Sequence, residues 1–117
     1  MRRRLPLERD VQERVKALYQ AAGCYVYNLS QGYRPGGPRH GPTRQSKGLG
    51  DLYVLHPKIG GWWHETKRLG GTQTPEQQVF QTRCAGASVS YVLGGVRETL
   101  EFLVERNLWH LPLGVTV

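Results

Sequence analysis

Apolar residues recur at helical spacing from Leu7 to about Ala22: Val11, Val15, Leu18 and Ala22 share a face, and Gly23 stands at the expected stop. Cys24 to Leu29 is short, aromatic and β-branched, which predicts a strand. Asp51 to Leu55 and Trp62 to Lys67 predict two more, joined through His56-Pro57-Lys58-Ile59-Gly60-Gly61, whose proline and glycines suit a hairpin loop. Thr74-Pro75-Glu76-Gln77 opens a second helix: Thr74 caps it, Pro75 takes the first helical position, and Gln77 completes a capping box. That helix should stop near Gly86, a strand follows over Ala87 to Leu93, and Leu100, Leu103 and Val104 mark a third helix within Val96 to Asn107. The apolar tail, Trp109 to Val117, has the composition to pack on the domain or on another subunit.

The predicted fold class is therefore α/β. Three successive strands form an antiparallel meander, and the strand after the crossover helix joins one side of it, giving a mixed sheet flanked by helices, αβββαβ at its core. A chain of 117 residues supports one domain, 1–117, with a single modest core. Ser30 to Lys47 breaks the pattern, being rich in Gly, Pro and Arg with no apolar periodicity. A loop that long in a small domain is usually functional or disordered, and here it reads either as a flexible basic arm over about 30–47 that orders on a polyanion or as a merely mobile loop.

Helix geometry separates two acids. Glu8 lies three residues before Val11 and seven before Val15, so it shares their inward face, whereas Glu13 is turned to the solvated side. An acid on the buried stripe is costly unless it is paired, hydrogen-bonded or near a metal, which makes Glu8 the functional candidate. Strand register governs a second pair. If Leu55 pairs with Trp63, then Tyr53 faces Glu65 and Asp51 faces Lys67, leaving Asp51 and Glu65 as diagonal neighbours at roughly 7–8 Å between backbones. A one-residue slip would turn one strand's side chains to the opposite face and abolish the pairing.

The charge balance, 16 Lys plus Arg against 9 Asp plus Glu for a net +7, favours polyanionic partners. Cys24 and Cys84 are too few for a disulfide framework and lack zinc-ligand spacing, so they read as buried reduced thiols. No apolar run is long enough to cross a membrane, and Arg2-Arg3-Arg4 precedes a charged amphipathic segment rather than a signal-peptide core. The expectation is a soluble intracellular protein, cytoplasmic or in the host-cell cytoplasm if viral, with no membrane association.

An acid at the start of one strand, followed by an acid and a lysine two apart on the next, can assemble a divalent-cation site beside a phosphate. Glu8-x-x-Val11-Gln12-x-x-Val15, Asn28, Gly48-x-Gly50-Asp51-Leu52, Glu65-Thr66-Lys67 and Thr74-x-x-Gln77 resemble the VRR-NUC branch of the PD-(D/E)XK nuclease superfamily over roughly Leu7 to Leu93. Glu-x-Lys alone is a weak signal; its place between Gly-x-Gly-Asp and Thr-Pro-Glu-Gln makes it specific.

The resemblance implies a restriction-endonuclease-like core and a metal-dependent endodeoxyribonuclease that hydrolyses phosphodiester bonds. By the same resemblance, Asp51 and Glu65 would ligate Mg2+ or Mn2+, with the Thr66 backbone carbonyl as a third ligand. Glu8 would serve a second ion or hold a water, Lys67 would position or help deprotonate the attacking water, and Gln77 would orient Lys67 or the scissile phosphate. Small stand-alone members resemble Holliday-junction resolvases in being homodimers, which points to branched DNA such as a four-way junction. Arg34, Arg39, Arg44, Lys47, Lys58 and Arg68 are the expected phosphate contacts, with the Arg2 to Arg4 tail as a further candidate. No small-molecule organic cofactor is implied.

Plainer readings exist: Asp51 as a turn residue, Glu65 and Lys67 as an exposed strand pair, Gln77 as a cap only. At the level of function, the alternatives are a non-catalytic branched-DNA-binding module and a flap or nicking nuclease without junction preference, with an RNase or restriction-like enzyme behind them. His64 stands where the family more often has an apolar residue, and strand parity turns it away from Glu65, so it reads as packing or surface. Trp63 shares the Glu65 face and suits base stacking, core packing or a dimer interface. His40, His56 and His110 have no ligand-like spacing.

Overall fold

The computed structural model describes residues 7–29 and 48–117. The proposed basic arm, with Arg34, Arg39, Arg44 and Lys47, lies outside the described residues, as do Arg2 to Arg4 and His40. The elements are α1 (Glu8–Ala21), β1 (Tyr25–Asn28), β2 (Leu52–His56), β3 (Gly60–Thr66), α2 (Pro75–Gly86), β4 (Tyr91–Gly94) and α3 (Val96–Glu105), in the order that the hydrophobic pattern predicts.

The sheet order is β1-β2-β3-β4. The first two pairings are antiparallel and the third is parallel: the short β2–β3 loop can only reverse the chain, whereas α2 carries it back to start β4 alongside β3. Period-2 alternation then divides the side chains. Leu52, Val54, Trp62 and Val92 join Val15 and Tyr19 of α1 and Phe102 and Leu103 of α3 in the core. Trp63 faces the other way, edge-on to Phe80 of α2 with ring centroids 5.2 Å apart. The sheet is thus covered by α1 and α3 on one face and by α2 on the other. Trp63 belongs to packing under α2.

The β2–β3 register differs from the expected one by two residues: Tyr53 pairs with Trp63 and Leu55 with Gly61. Gly60 takes φ +84°, which closes the hairpin directly after Pro57-Lys58-Ile59 and places both glycines in the strand instead of the loop. Gly61 lies beneath the Tyr53 and Leu55 side chains, where a Cβ would collide. A shift of two preserves every facing, so the predicted site geometry is improved instead of lost. Asp51, next in register after the Leu52–His64 pair, comes directly opposite Glu65.

Two boundaries also move. β4 begins at Tyr91 instead of Ala87, because α2 ends in a turn with Ser88 at φ 59° and the Val89 amide bonded to the Cys84 carbonyl. Of the residues expected to mark α3, Leu103 is fully buried while Leu100 and Val104 are half-buried; Thr99 and Phe102 complete the buried face, and the Thr99 hydroxyl is satisfied by the Gly95 carbonyl at 2.8 Å. Leu108 and Trp109 pack on the core, while Leu113 is fully exposed. Both cysteines are free and buried. Among the described residues, no helix is long and apolar enough to cross a membrane.

Candidate metal centre

The site begins with two glycines. Gly48 has φ +85°, and a Cβ there would run into the backbone of Glu76 and Gln77 at the start of α2. Gly50 lies over the His64 carbonyl, which an added Cβ would approach to 3.1 Å. The chain therefore enters β2 wedged between α2 and β3, which fixes where Asp51 can point.

Asp51 and Glu65 are cross-bonded. The Asp51 amide donates to Glu65 Oε2 at 3.1 Å, and the Thr66 amide donates to Asp51 Oδ2 at 2.9 Å. Gln77 clamps Glu65 from above: its Nε2 donates to Glu65 Oε1, while its Oε1 accepts from the Thr74 amide at 2.8 Å and its own amide bonds Thr74 Oγ1 at 3.2 Å. One side chain thus serves both the helix cap and the carboxylate. It holds Glu65, not Lys67.

Lys67 Nζ lies 3.6 Å from Glu65 Oε1 and 3.8 Å from Glu8 Oε1. Glu8 enters from the first turn of α1 with its side chain 46% exposed, so it stands at the rim of the group instead of on the buried stripe. Glu13 pairs with Lys16 on the solvated side, as the helix face requires. Oxygens of Glu8, Asp51 and Glu65 all lie within 4.8 Å of one another, and no second grouping of this kind occurs among the described residues. Three hard carboxylate donors at that spacing fit a small divalent cation, and the Lys67 ammonium offsets part of their charge.

The electrostatics agree. Burial pushes the Glu65 carboxyl up to about 9, helped by the Asp51 carboxylate beside it and opposed by the Lys67 ammonium and by the Asp51 amide that donates to it. Without a cation, burial therefore favours the protonated form of Glu65; a cation among these oxygens would compete with that proton.

No protein-family model matches the chain, and no curated protein is significantly similar to it. Among solved structures, a chain described as a VRR_NUC domain aligns with 84% of this chain and 94% of its own length, at 24% identity and a TM-score of 0.61. The fold is that of a VRR-NUC domain.

Within this VRR-NUC fold, the sequence prediction missed Gln12 as a site residue. Its Nε2 donates to Asp51 Oδ2 at 3.2 Å, and its Oε1 accepts from Asn28 Nδ2 at 3.0 Å, tying β1 through α1 to the site. The signal was present: Gln12 lies one helical turn beyond Glu8 on the same face. Of the expected phosphate contacts, Arg68 is exposed next to Lys67. Lys58 sits in the β2–β3 hairpin loop, at the opposite end of the sheet from Glu65, and the fold does not bring it to the site.

His64 is buried on the core face, as strand parity requires. Its Nε2 lies 3.0 Å from the Gly94 carbonyl, which can only accept, so Nε2 carries the hydrogen and Nδ1 accepts from the Tyr19 hydroxyl at 2.6 Å. Tyr19 in turn accepts from Trp62 Nε1 at 3.3 Å. Burial lowers the His64 pKa to about 4, with the Gly94 carbonyl and Asp51 acting the other way. The same Gly94 carbonyl accepts the Lys67 amide at 3.2 Å, so this buried relay anchors the backbone that presents Lys67.

Proposed function

We propose that this chain is a VRR-NUC nuclease, a metal-dependent structure-selective DNA endonuclease that hydrolyses phosphodiester bonds. The observation that carries the reading is the convergence of Glu8, Asp51 and Glu65 oxygens within 4.8 Å, with Lys67 Nζ 3.6 Å from Glu65. Asp51 and Glu65 are the ligands proposed for Mg2+ or Mn2+, with the Thr66 carbonyl as a third and Glu8 for a second ion or a held water. Bound there, the cation would polarise the phosphate and lower the pKa of an attacking water.

The remaining steps belong to the chain's own groups. Lys67 directs its Nζ donors at the attacking water and at the oxygens of the phosphate, offsetting charge as the pentacovalent arrangement develops. Gln77 and the Asp51 amide hold the two Glu65 oxygens in place, and Gln12 and the Thr66 amide hold Asp51, so neither carboxylate must reorganise during the reaction. Branched DNA and a homodimer form the finer part of this reading, supported by the net charge of +7 and by a domain too small to span a junction alone.

The test is incubation of a labelled four-way junction, a flap, a linear duplex and a single strand with the protein and Mg2+ or Mn2+ at matched salt, beside Asp51→Ala. Cleavage that requires Asp51 supports the reading. Absence of cleavage on every substrate would leave a DNA-binding module, and equal cleavage by both proteins would overturn the site.

A further inference from the structure

Beside Lys67 a cleft of about 800 Å³ opens between α1, the β3–α2 connection and the start of α3. Its volume lies within the roughly 300–1,000 Å³ of sites that enclose a small organic group. Val11, Leu93 and Val96 supply apolar lining. Lys67, Arg14, Arg68 and Arg97 supply positive charge; Glu98 is a lining carboxylate, and Arg97 Nε also pairs with Glu101 Oε1 at 3.0 Å, a partner that a phosphate would share or displace. An apolar floor with guanidinium groups at its rim matches one chemistry closely: a flat heteroaromatic base attached to phosphates.

From this cleft we infer that the protein takes an unpaired nucleotide next to the scissile phosphate, with Arg14 and Arg97 as phosphate-positioning residues for that strand. The inference rests on the nuclease reading and sharpens it, since it assigns structure selectivity to a pocket instead of to overall shape. A paired base in a duplex cannot enter, because its Watson–Crick edge and stacking partners would have to be given up first. Unpaired nucleotides at a branch point, flap or overhang have already lost those partners. Lys67 lines the cleft and its Nζ lies 3.8 Å from Glu8 Oε1, so the cleft adjoins the metal centre and a strand whose phosphate lies at Lys67 has its neighbouring nucleotide beside it.

The experiment measures binding, not turnover, by fluorescence anisotropy in EDTA, so it does not depend on cleavage. A blunt duplex and the same duplex with a short single-stranded overhang are compared for the wild type, for Arg14→Ala/Arg97→Ala, and for Val96→Trp, which narrows the cleft from an exposed position and should leave the fold intact by circular dichroism. The overhang substrate should bind the wild type about tenfold more tightly than the blunt one, on the scale of two added single-strand phosphate contacts. Val96→Trp should erase that preference while keeping duplex affinity. The arginine double variant should weaken overhang binding and reduce its salt dependence by about 1.4 in log–log slope, the value for two phosphate contacts on a single strand. Equal binding of both substrates by the wild type, or a preference unchanged in Val96→Trp, overturns the inference. Failure of the nuclease reading would show separately, as loss of any Asp51-dependent cleavage.

Discussion

The amide of Asp51 donates to Glu65 Oε2 at 3.1 Å, so the residue bearing one candidate ligand uses its own backbone to orient the other. Neither carboxylate is placed independently. A change at either position should therefore be felt at both, and the two substitutions should not be additive.

Asp51→Asn keeps the side-chain shape and the Thr66 and Gln12 contacts within reach, but removes the charge. Cleavage should fall by about 10²-fold or more, the scale of losing one preorganised electrostatic contact. Initial rates across a Mg2+ series would show it, and recovery to wild-type rate at high Mg2+ would argue that Asp51 assists binding only.

Metal-free stability should depend on pH in a defined direction. Glu65 has a folded-state pKa of about 9 against an ordinary 4.5, so its contribution is complete below about 4.5 and is lost as pH rises toward 9. His64, lowered from 6.5 to about 4, contributes above 6.5 and loses that contribution as pH falls. The two oppose each other between 4.5 and 6.5; from 6.5 to 9 Glu65 acts without that opposition. In EDTA, Tm should drop by at least about 4 °C across that upper window, the shift expected for roughly 1 kcal/mol. Glu65→Gln should flatten the decline, and so should Mg2+, whose binding should tighten over the same range as the proton leaves. A flat wild-type profile in EDTA would show that Glu65 is ionised without metal.

The double use of Gln77 predicts a dissociation of effects. Thr74→Ala removes the hydroxyl cap and should cost about 1 kcal/mol of stability with cleavage nearly unchanged. Gln77→Ala loses the cap and the hold on Glu65 together, so it should add a fall in activity of about 10–100-fold. Denaturant melts and cleavage rates on the same preparations separate the two; equal activity in both variants would reduce Gln77 to a cap.

Gln12→Ala should lower cleavage or metal affinity by about 10–100-fold through Asp51, without removing a ligand. Isothermal titration with Mg2+ and steady-state rates are the readouts. Gln12→Glu should be worse than Ala at the rate level, since it places a further carboxylate against Asp51.

Tyr19→Phe leaves His64 Nδ1 buried without its donor and should destabilise the fold by about 1–3 kcal/mol. Well below Tm, cleavage should survive. A selective loss of activity with unchanged stability would instead mark His64 as chemically engaged.

Much of this molecule was legible in its pattern of residues. Helical spacing alone separated Glu8 from Glu13, and the capping box located the start of α2 at Thr74, because both depend on local geometry that neighbouring residues fix. Strand parity put His64 and Glu65 on opposite faces for the same reason. Register was less accessible: the pair Gly60-Gly61 suits a loop as well as a strand, and only the packing of Tyr53 over Gly61 decides between them. Helix spacing puts Gln12 on the Glu8 face, but its bonds to Asp51 and Asn28 join residues distant in sequence, and only the packed fold shows them.

The sequence by itself determined the order of elements, the facing of the strand side chains and the acids and lysine from which a site can be made, since these follow from periods of 3.6 and 2 residues and from capping chemistry. Only the tertiary structure decided that Asp51 lies opposite Glu65, that Gln77 holds Glu65 instead of Lys67, and that a cleft opens beside Lys67. Those are relations between elements brought together by burial of the core, and no local propensity encodes the distance between two of them.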